Sequence, residues 1–394
     1  MQNVVIVAAA RTAVGDFQGS LASLKGHELG VLALKGTIEK FGIDPNLIEE
    51  VIGGQCNQYG SPGNSARWVT LKAGLPVETV STTVHQQCPS SMRAADILAQ
   101  EIMLGRIEAA AAVGYESMSN APYMLFGARK GYRLNDGEVI QDSLMLGGLI
   151  CAFEGYHMGV TAENIAELYN ITREQQDEYA LLSHQRACKA MADGLFTDEI
   201  IPVEVKTRKG TQIVDTDEHP NPGASMEMAT KLSPVFKKDG TVTAFNASSL
   251  NDGAAALILM SADKAKKLGL KPLARVVASA SAAVEPRIMG MGPVPATLKA
   301  LKYAGMTLND IDYWELNEAF AAQALACMQE LNIPVERCNA VGSGISLGHP
   351  VGMTGARIIL AAINELKRRG GRFACSTMCA SGGPACAFII ENIN

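Results

Sequence analysis

The 394-residue chain predicts an α/β fold assembled from two similar halves with a long excursion between them. Three observations lead there. A helix, an acidic turn and an apolar strand occur in LGVLALKGTIEKFGIDPNLIEEVIGGQC, residues 29–56, and again in PATLKALKYAGMTLNDIDYWELNEAF, residues 295–320. The plan continues in register: Cys88, the helix MRAADILAQEIMLGR and the strand EAAAAVGYES match His349, the helix TGARIILAAINELKRR and the strand RFACSTMCAS. Between the halves, from residue 119 to about 250, the chain becomes more charged and richer in turns.

Each element has a local reason. Gly42 and Gly305 close the first helix of each half, as glycine does where a helix ends left-handed. The helices after Cys88 and His349 carry Ala, Ile and Leu on every side, which predicts burial between two sheets. The excursion holds one clear helical region, TREQQDEYALLSHQRACKAMADG, among the turns RKGYRLNDGEV, VKTRKGTQIVDTDEHPNPGAS and FKKDGTVTA. It reads either as a substrate-binding subdomain or as a solvated decoration or oligomer contact.

Composition excludes several classes. A net charge of −6 argues against a nucleic-acid partner, and the basic run Lys206–Lys209 reads as a solvated hairpin edge. No apolar run reaches the roughly 20 residues of a membrane span. The N-terminus reads as a core strand rather than a secretory leader. The nine cysteines form no CxxC pair, so no metal site is expected, and their odd number suits reduced thiols in the cytoplasm.

Four places can carry chemistry. With Pro89 as the first helical residue, Cys88 becomes the N-cap, where the helix dipole would lower its pKa; otherwise it is an inert buried thiol. His349, on the glycine-rich turn GISLGHPVGMTGARI, occupies in the second half the place of Cys88 in the first, so the two should face one another and the imidazole activate the thiol. A satisfied turn histidine is the other reading. In WELNEAFAAQ, Asn317 and Glu318 stand at a strand end, to orient water or a side chain or to cap the helix. CASGGP adds Cys379 before paired glycines whose amides can face a ligand. Two thiols, a histidine and an asparagine suit acyl transfer combined with carbon-acid chemistry.

These stretches, with AAARTAVGDFQGSL, GYESMSNAPY, GYHMGVTAENIAE, GTVTAFNASSLNDGAAA and MGMGPVPA, resemble the thiolase family over essentially the whole chain, most closely its bacterial acetyl-CoA acetyltransferase branch. The resemblance implies a five-layered α-β-α-β-α fold. Residues 1–118 and 250–270 would form one half, 271–394 the other, and 119–249 a loop domain binding coenzyme A. It also implies a reversible Claisen condensation through an acyl-cysteine. Cys88 would be acylated, His349 would activate it, and Cys379 would move the proton of the second substrate. Asn317, through a water, and His349 would form one oxyanion hole; the amides of Cys88 and Ser381 would form the other. Leu149, His157, Met158, Phe236 and Ala244, then Ser248, Met289, Ala319 and Phe320, match positions along the thioester and pantetheine tunnel. Coenzyme A thioesters are the implied substrates, with no permanently bound cofactor and a homodimer or homotetramer as the assembly; a partner subunit stays open. A decarboxylating ketosynthase-like enzyme would carry histidine in place of Cys379, and a noncatalytic acyl-CoA-binding subunit would be expected to lose one of the four residues.

The chain departs from the family pattern at His85, at Ser90–Ser91, at Val341–Gly342–Ser343, and at Asn221, where an arginine near the coenzyme A phosphates is expected. Phe245, Ser249 and Ser381 stand where glycine is expected. Phe245 would put a phenyl ring beside the acyl tunnel, and Ser381 would need a backbone conformation open to a side chain.

Overall fold

The computed structural model describes residues 2–134, 140–208 and 210–393. Asn135–Val139 of the RKGYRLNDGEV turn and Lys209 of the basic run lie outside the described residues; around the latter, Val203–Thr207 and Gly210–Val214 pair as a hairpin.

One long sheet runs through the molecule in the order Val80–Val84, Glu50–Gly54, Ala109–Ser117, Asn251–Ser261, Val4–Thr12, Ala274–Ala283, Pro384–Glu391, Phe373–Cys379, Tyr313–Leu316. Its two halves are joined by only two residue pairs, Val5 with Arg275 and Ile6 with Ala274. Each half repeats the same pairing: Glu50–Gly54 is parallel to Ala109–Ser117 as Tyr313–Leu316 is to Phe373–Cys379. The repeat is imperfect at one edge. The five-residue ladder between Glu50–Gly54 and Val80–Val84 is reduced in the second half to a single parallel bridge between Trp314 and Cys338.

Away from the half-exposed edge strand Val80–Val84, the strands are apolar on both faces because side chains alternate across a sheet and both faces are covered. Val5 and Val7 pack against Leu29 and Leu34 of the outer helix Gly26–Phe41, whereas Val4 and Ile6 point into a central core. In the second half Ala387 and Ile389 face Ala300 and Leu301 of the outer helix Pro293–Ala304, and Phe388 and Ile390 turn inward. The central core is filled by two helices, Ser90–Met103 and Thr354–Arg369, which contribute Leu98, Ile102, Ile359 and Ile363. Helices outside, sheets between and helices at the centre make the five layers. Gly42 and Gly305 end the outer helices left-handed, at φ 61° and 67°, as their places in the sequence require.

The two central helices meet at their N-terminal ends. The Ser91 hydroxyl donates to the Met353 carbonyl at 3.1 Å and accepts from the Ala356 amide at 2.9 Å. Gly355 permits this approach, since a methyl group there would lie 2.5 Å from the Met92 amide nitrogen. Residues between 119 and 250 cross over this frame. Among them, Arg173–Ala192 packs on Ala321–Leu331, and Asp217 and Glu199 pair with buried Arg11 at 2.6 and 2.8 Å.

The buried Ser91 hydroxyl should contribute measurably. Ser91→Ala is expected to lower unfolding stability by about 1–2 kcal/mol, read as a drop in urea midpoint; an unchanged midpoint would show that the contact between the helices carries no net energy.

Candidate active site

The nucleophile turn begins where Val80–Val84 ends. Gln87 takes a left-handed φ of 56°, which folds the chain back so that the Ser90 amide and hydroxyl both donate to the Gln87 carbonyl, at 3.1 and 2.6 Å. The Ser90 oxygen also accepts from the Gln86 amide. The helix therefore starts at Ser90, with Pro89 as its N-cap, and Cys88 sits one residue earlier than its expected capping place.

The expected lowering of the Cys88 pKa is overturned. A helix terminus is worth about 0.3–1 kcal/mol, less than one pH unit at roughly 1.36 kcal/mol per unit. Burial outweighs it and pushes the thiol up to about 12, although the backbone amides of Cys88 and Ser381 face the sulfur and pull the other way. At rest Cys88 is a thiol, and a base must take its proton.

His349 has the tautomer and charge state that such a base needs. Its ring Nδ1 lies 2.7 Å from the Thr354 hydroxyl oxygen, and that hydroxyl donates to the Pro350 carbonyl at 3.0 Å. Nδ1 therefore carries the hydrogen, and Nε2, which meets no partner among the described residues, presents a lone pair. Burial, reinforced by the charge of Arg357, lowers the pKa to about 3, so the ring is neutral and able to accept.

Two residues that the sequence reading passed over hold this loop. Asn251 accepts from the His349 amide at 2.9 Å and donates to the Gly15 carbonyl. Glu116 accepts from the Gly352 amide at 3.0 Å, beyond the histidine, and from the amides of Cys56 and Asn57 in the first half. One carboxylate thus fastens the histidine loop to the half that carries the nucleophile. Burial raises its pKa to about 7 against the pull of those three amides. The signal was present in GYESMS, an acidic residue inside an otherwise apolar strand.

Cys379 ends Phe373–Cys379 and is buried; burial, then the neighbouring Cys88 and Cys327, push its pKa well above the ordinary thiol range. The turn after it takes its left-handed residues at Gly382 and Gly383, at φ 85° and 103°, whereas Ser381 is not left-handed and bears its side chain without strain. The Asn317 amide donates to the Thr377 carbonyl at 3.0 Å. Its side chain is fully buried and neither polar atom has a partner among the described residues. Glu318 serves the scaffold instead. Its carboxylate accepts from Tyr179, Ser183, Asn339 and the Ile345 amide, tying the excursion to the loop that leads to His349.

Cys88, His349, Cys379 and Ser381 share the wall of one cavity of about 560 Å³. Each position matched to the thioester and pantetheine tunnel, from Leu149 to Phe320, lies on the same wall; Asn317 does not. His157 stacks on Phe236 at 4.5 Å, and Phe236 meets Phe320 edge-on. Gly159 leaves room for that Phe236 ring, which a methyl group there would strike.

Phe245 does not enter the tunnel, contrary to expectation. Its ring is buried in the second-half core with Ile165 and Tyr179 and lies 5.7 Å from His184. The neighbouring Ala244 and Ala247 face the cavity instead, because the Thr243 hydroxyl and Asn246 side chain lock the turn with the ring directed away. Ser249 does reach the cavity, and its hydroxyl donates to Asn251 at 2.7 Å. Asn221 accepts from the Gly223 amide in its own turn and is not on the cavity wall.

The family model for the thiolase N-terminal domain matches residues 4–263, and that for the thiolase C-terminal domain matches residues 270–392. An acetyl-CoA acetyltransferase of Pseudomonas aeruginosa is 49% identical over 391 residues, 99% of each chain. One of Escherichia coli is 48% identical over 395 residues, all of each chain. Among solved structures, the acetyl-CoA acetyltransferase from Syntrophomonas wolfei superposes with a TM-score of 0.97 at 46% identity over the whole of both chains. Human mitochondrial 3-ketoacyl-CoA thiolase in complex with CoA gives 0.95 at 40% identity, over 100% of this chain and 98% of that one.

Two outcomes follow from the loop anchors. Thr354→Val removes the acceptor of Nδ1–H and should slow acylation of Cys88 by up to about 100-fold, with the urea midpoint changed far less; an unaltered acylation rate would remove Thr354 from the machinery. Glu116 has a folded pKa raised from 4.5 to about 7, so its stabilising contribution is present below the unfolded value and lost as pH rises through 7. The urea midpoint of Glu116→Gln should consequently fall less between about pH 5 and pH 8 than that of the parent; parallel declines would contradict the assignment.

Proposed function

This chain belongs to the thiolase family, and from that premise we propose that it is an acetyl-CoA C-acetyltransferase, joining two acetyl-CoA molecules or cleaving the 3-oxoacyl product with coenzyme A. The convergence of two protonated thiols and one neutral imidazole on a single cavity carries the reading.

In the condensing direction His349 Nε2 takes the Cys88 proton as the sulfur attacks the thioester carbonyl. The amides of Cys88 and Ser381, which face that sulfur, receive the oxyanion. Coenzyme A leaves as its thiolate and takes a proton from Cys379. The Cys379 thiolate then removes a proton from the methyl group of a second acetyl-CoA. With its captured proton, His349 Nε2 is now a donor, and together with a water held by Asn317 it stabilises the enolate oxygen. The enolate attacks the acetyl group on Cys88, the product departs, and His349 returns its proton to the Cys88 sulfur. Every proton is restored, and the route uses only the substrates, these side chains and backbone amides, and the water held by Asn317.

The segment 119–249 supplies Leu149, His157, Met158 and Phe236 to the cavity wall, which supports its role as the part that binds the pantetheine arm of coenzyme A. No cofactor is retained between turnovers. The working assembly is a homodimer or homotetramer in the cytoplasm; among the described residues no helix is long and apolar enough to cross a membrane.

Brief incubation with acetyl-CoA should add one acetyl group to the parent protein and none to Cys88→Ala, by intact mass. Cys379→Ala should still acquire acetyl but condense about 10²–10⁴-fold more slowly. Undiminished condensation in that variant would contradict the proton route, and absence of any acetyl adduct on the parent would overturn the function.

A further inference from the structure

The acyl end of the cavity contains a hydrogen-bond donor that the reaction above does not use. Gln87, the residue before the nucleophile, lines the cavity beside Cys88. The Cys56 thiol donates to its Oε1 at 3.0 Å. Burial pushes the Cys56 pKa well above the ordinary range, so this thiol stays a donor and selects the amide oxygen, leaving the Nε2 hydrogens turned away from it. Nε2 has no partner among the described residues. Gly148 leaves room for the amide, since a methyl group there would lie 2.7 Å from Oε1. Its left-handed backbone is an unusual conformation for a residue with a side chain.

The charge around it is one-sided. Glu116 lies on the same wall, and among the described residues that line the cavity there is no lysine or arginine. An anionic acyl group would find no cation on that wall to balance its charge, whereas a neutral oxygen could accept from Gln87. We propose that Gln87 is a specificity-determining residue that favours acyl groups bearing an uncharged oxygen, a hydroxyl or a carbonyl, beyond the carbonyl attacked by Cys88. This rests on the acyl-transfer reading and narrows its substrate class.

The test compares the second-order rates at which acetyl-CoA, butanoyl-CoA, 3-hydroxybutanoyl-CoA and succinyl-CoA acylate Cys88, followed by intact mass in the parent and in Gln87→Met. One net hydrogen bond corresponds to a preference of about tenfold for 3-hydroxybutanoyl over butanoyl in the parent, with succinyl slower than 3-hydroxybutanoyl. In Gln87→Met, which keeps the side-chain length without the amide, that ratio should collapse toward one. Should this variant not fold, Gln87→Asn, which tolerates the left-handed backbone and withdraws the amide, should lower the ratio likewise. Ratios within one enzyme are independent of the amount of active protein. No preference in the parent, a preference that survives both substitutions, or faster reaction with succinyl-CoA would overturn the proposal. No acetyl on the parent Cys88 would instead overturn the acyl-transfer reading itself.

Discussion

The close meeting of the two central helices at their N-terminal ends is the constraint on which the rest depends. Each half of the chain places its reactive loop immediately before its central helix. Bringing Ser91 between Met353 and Ala356 therefore brings Cys88 and His349 to one cavity without any contact between the reactive side chains being required to hold them. The approach has steric conditions. Gly355 must lack a side chain, and both sheets must be apolar on the faces that close over the helices, as Ile6, Leu257, Phe388 and Ile390 make them.

Depth sets the resting state of the site. A charge buried there would lose its hydration, so the thiols of Cys88 and Cys379 stay protonated and His349 stays neutral. In the proposed reaction the chemistry consists of moving protons among groups that are uncharged at rest, with backbone amides aimed at where negative charge will develop. Such a site needs its geometry fixed beforehand. Asn251, Thr354 and Glu116 do this for the histidine loop through a backbone amide, a ring nitrogen and a second backbone amide, respectively.

The serine departures from the family pattern also take on meaning in this frame. Ser91 makes the bridge between the helices, Ser249 donates to the asparagine that anchors the histidine loop, and Ser381 offers an amide to the nucleophile without occupying a left-handed position. Phe245 fills a core beside His184 rather than narrowing the acyl path. Ser249 and Ser381 do reach the cavity wall, as does Gln87 at the turn that carries Cys88.

Alternating and all-round apolar patterns, repeated in the same order in both halves, were enough to predict the layered α/β architecture, the glycine helix ends and the facing of Cys88 and His349. These are consequences of periodicity and of duplicated connectivity, which a linear sequence records directly. The anchoring roles of Asn251, Thr354 and Glu116, the direction of the Phe245 ring and the sign of the Cys88 shift were decided only in three dimensions. An anchor can join residues far apart along the chain, as Glu116 joins Gly352. The side a ring faces depends on how its turn is locked. A pKa depends on how far water has been excluded, and the sequence shows that a cysteine precedes a helix but not how deep that helix end lies.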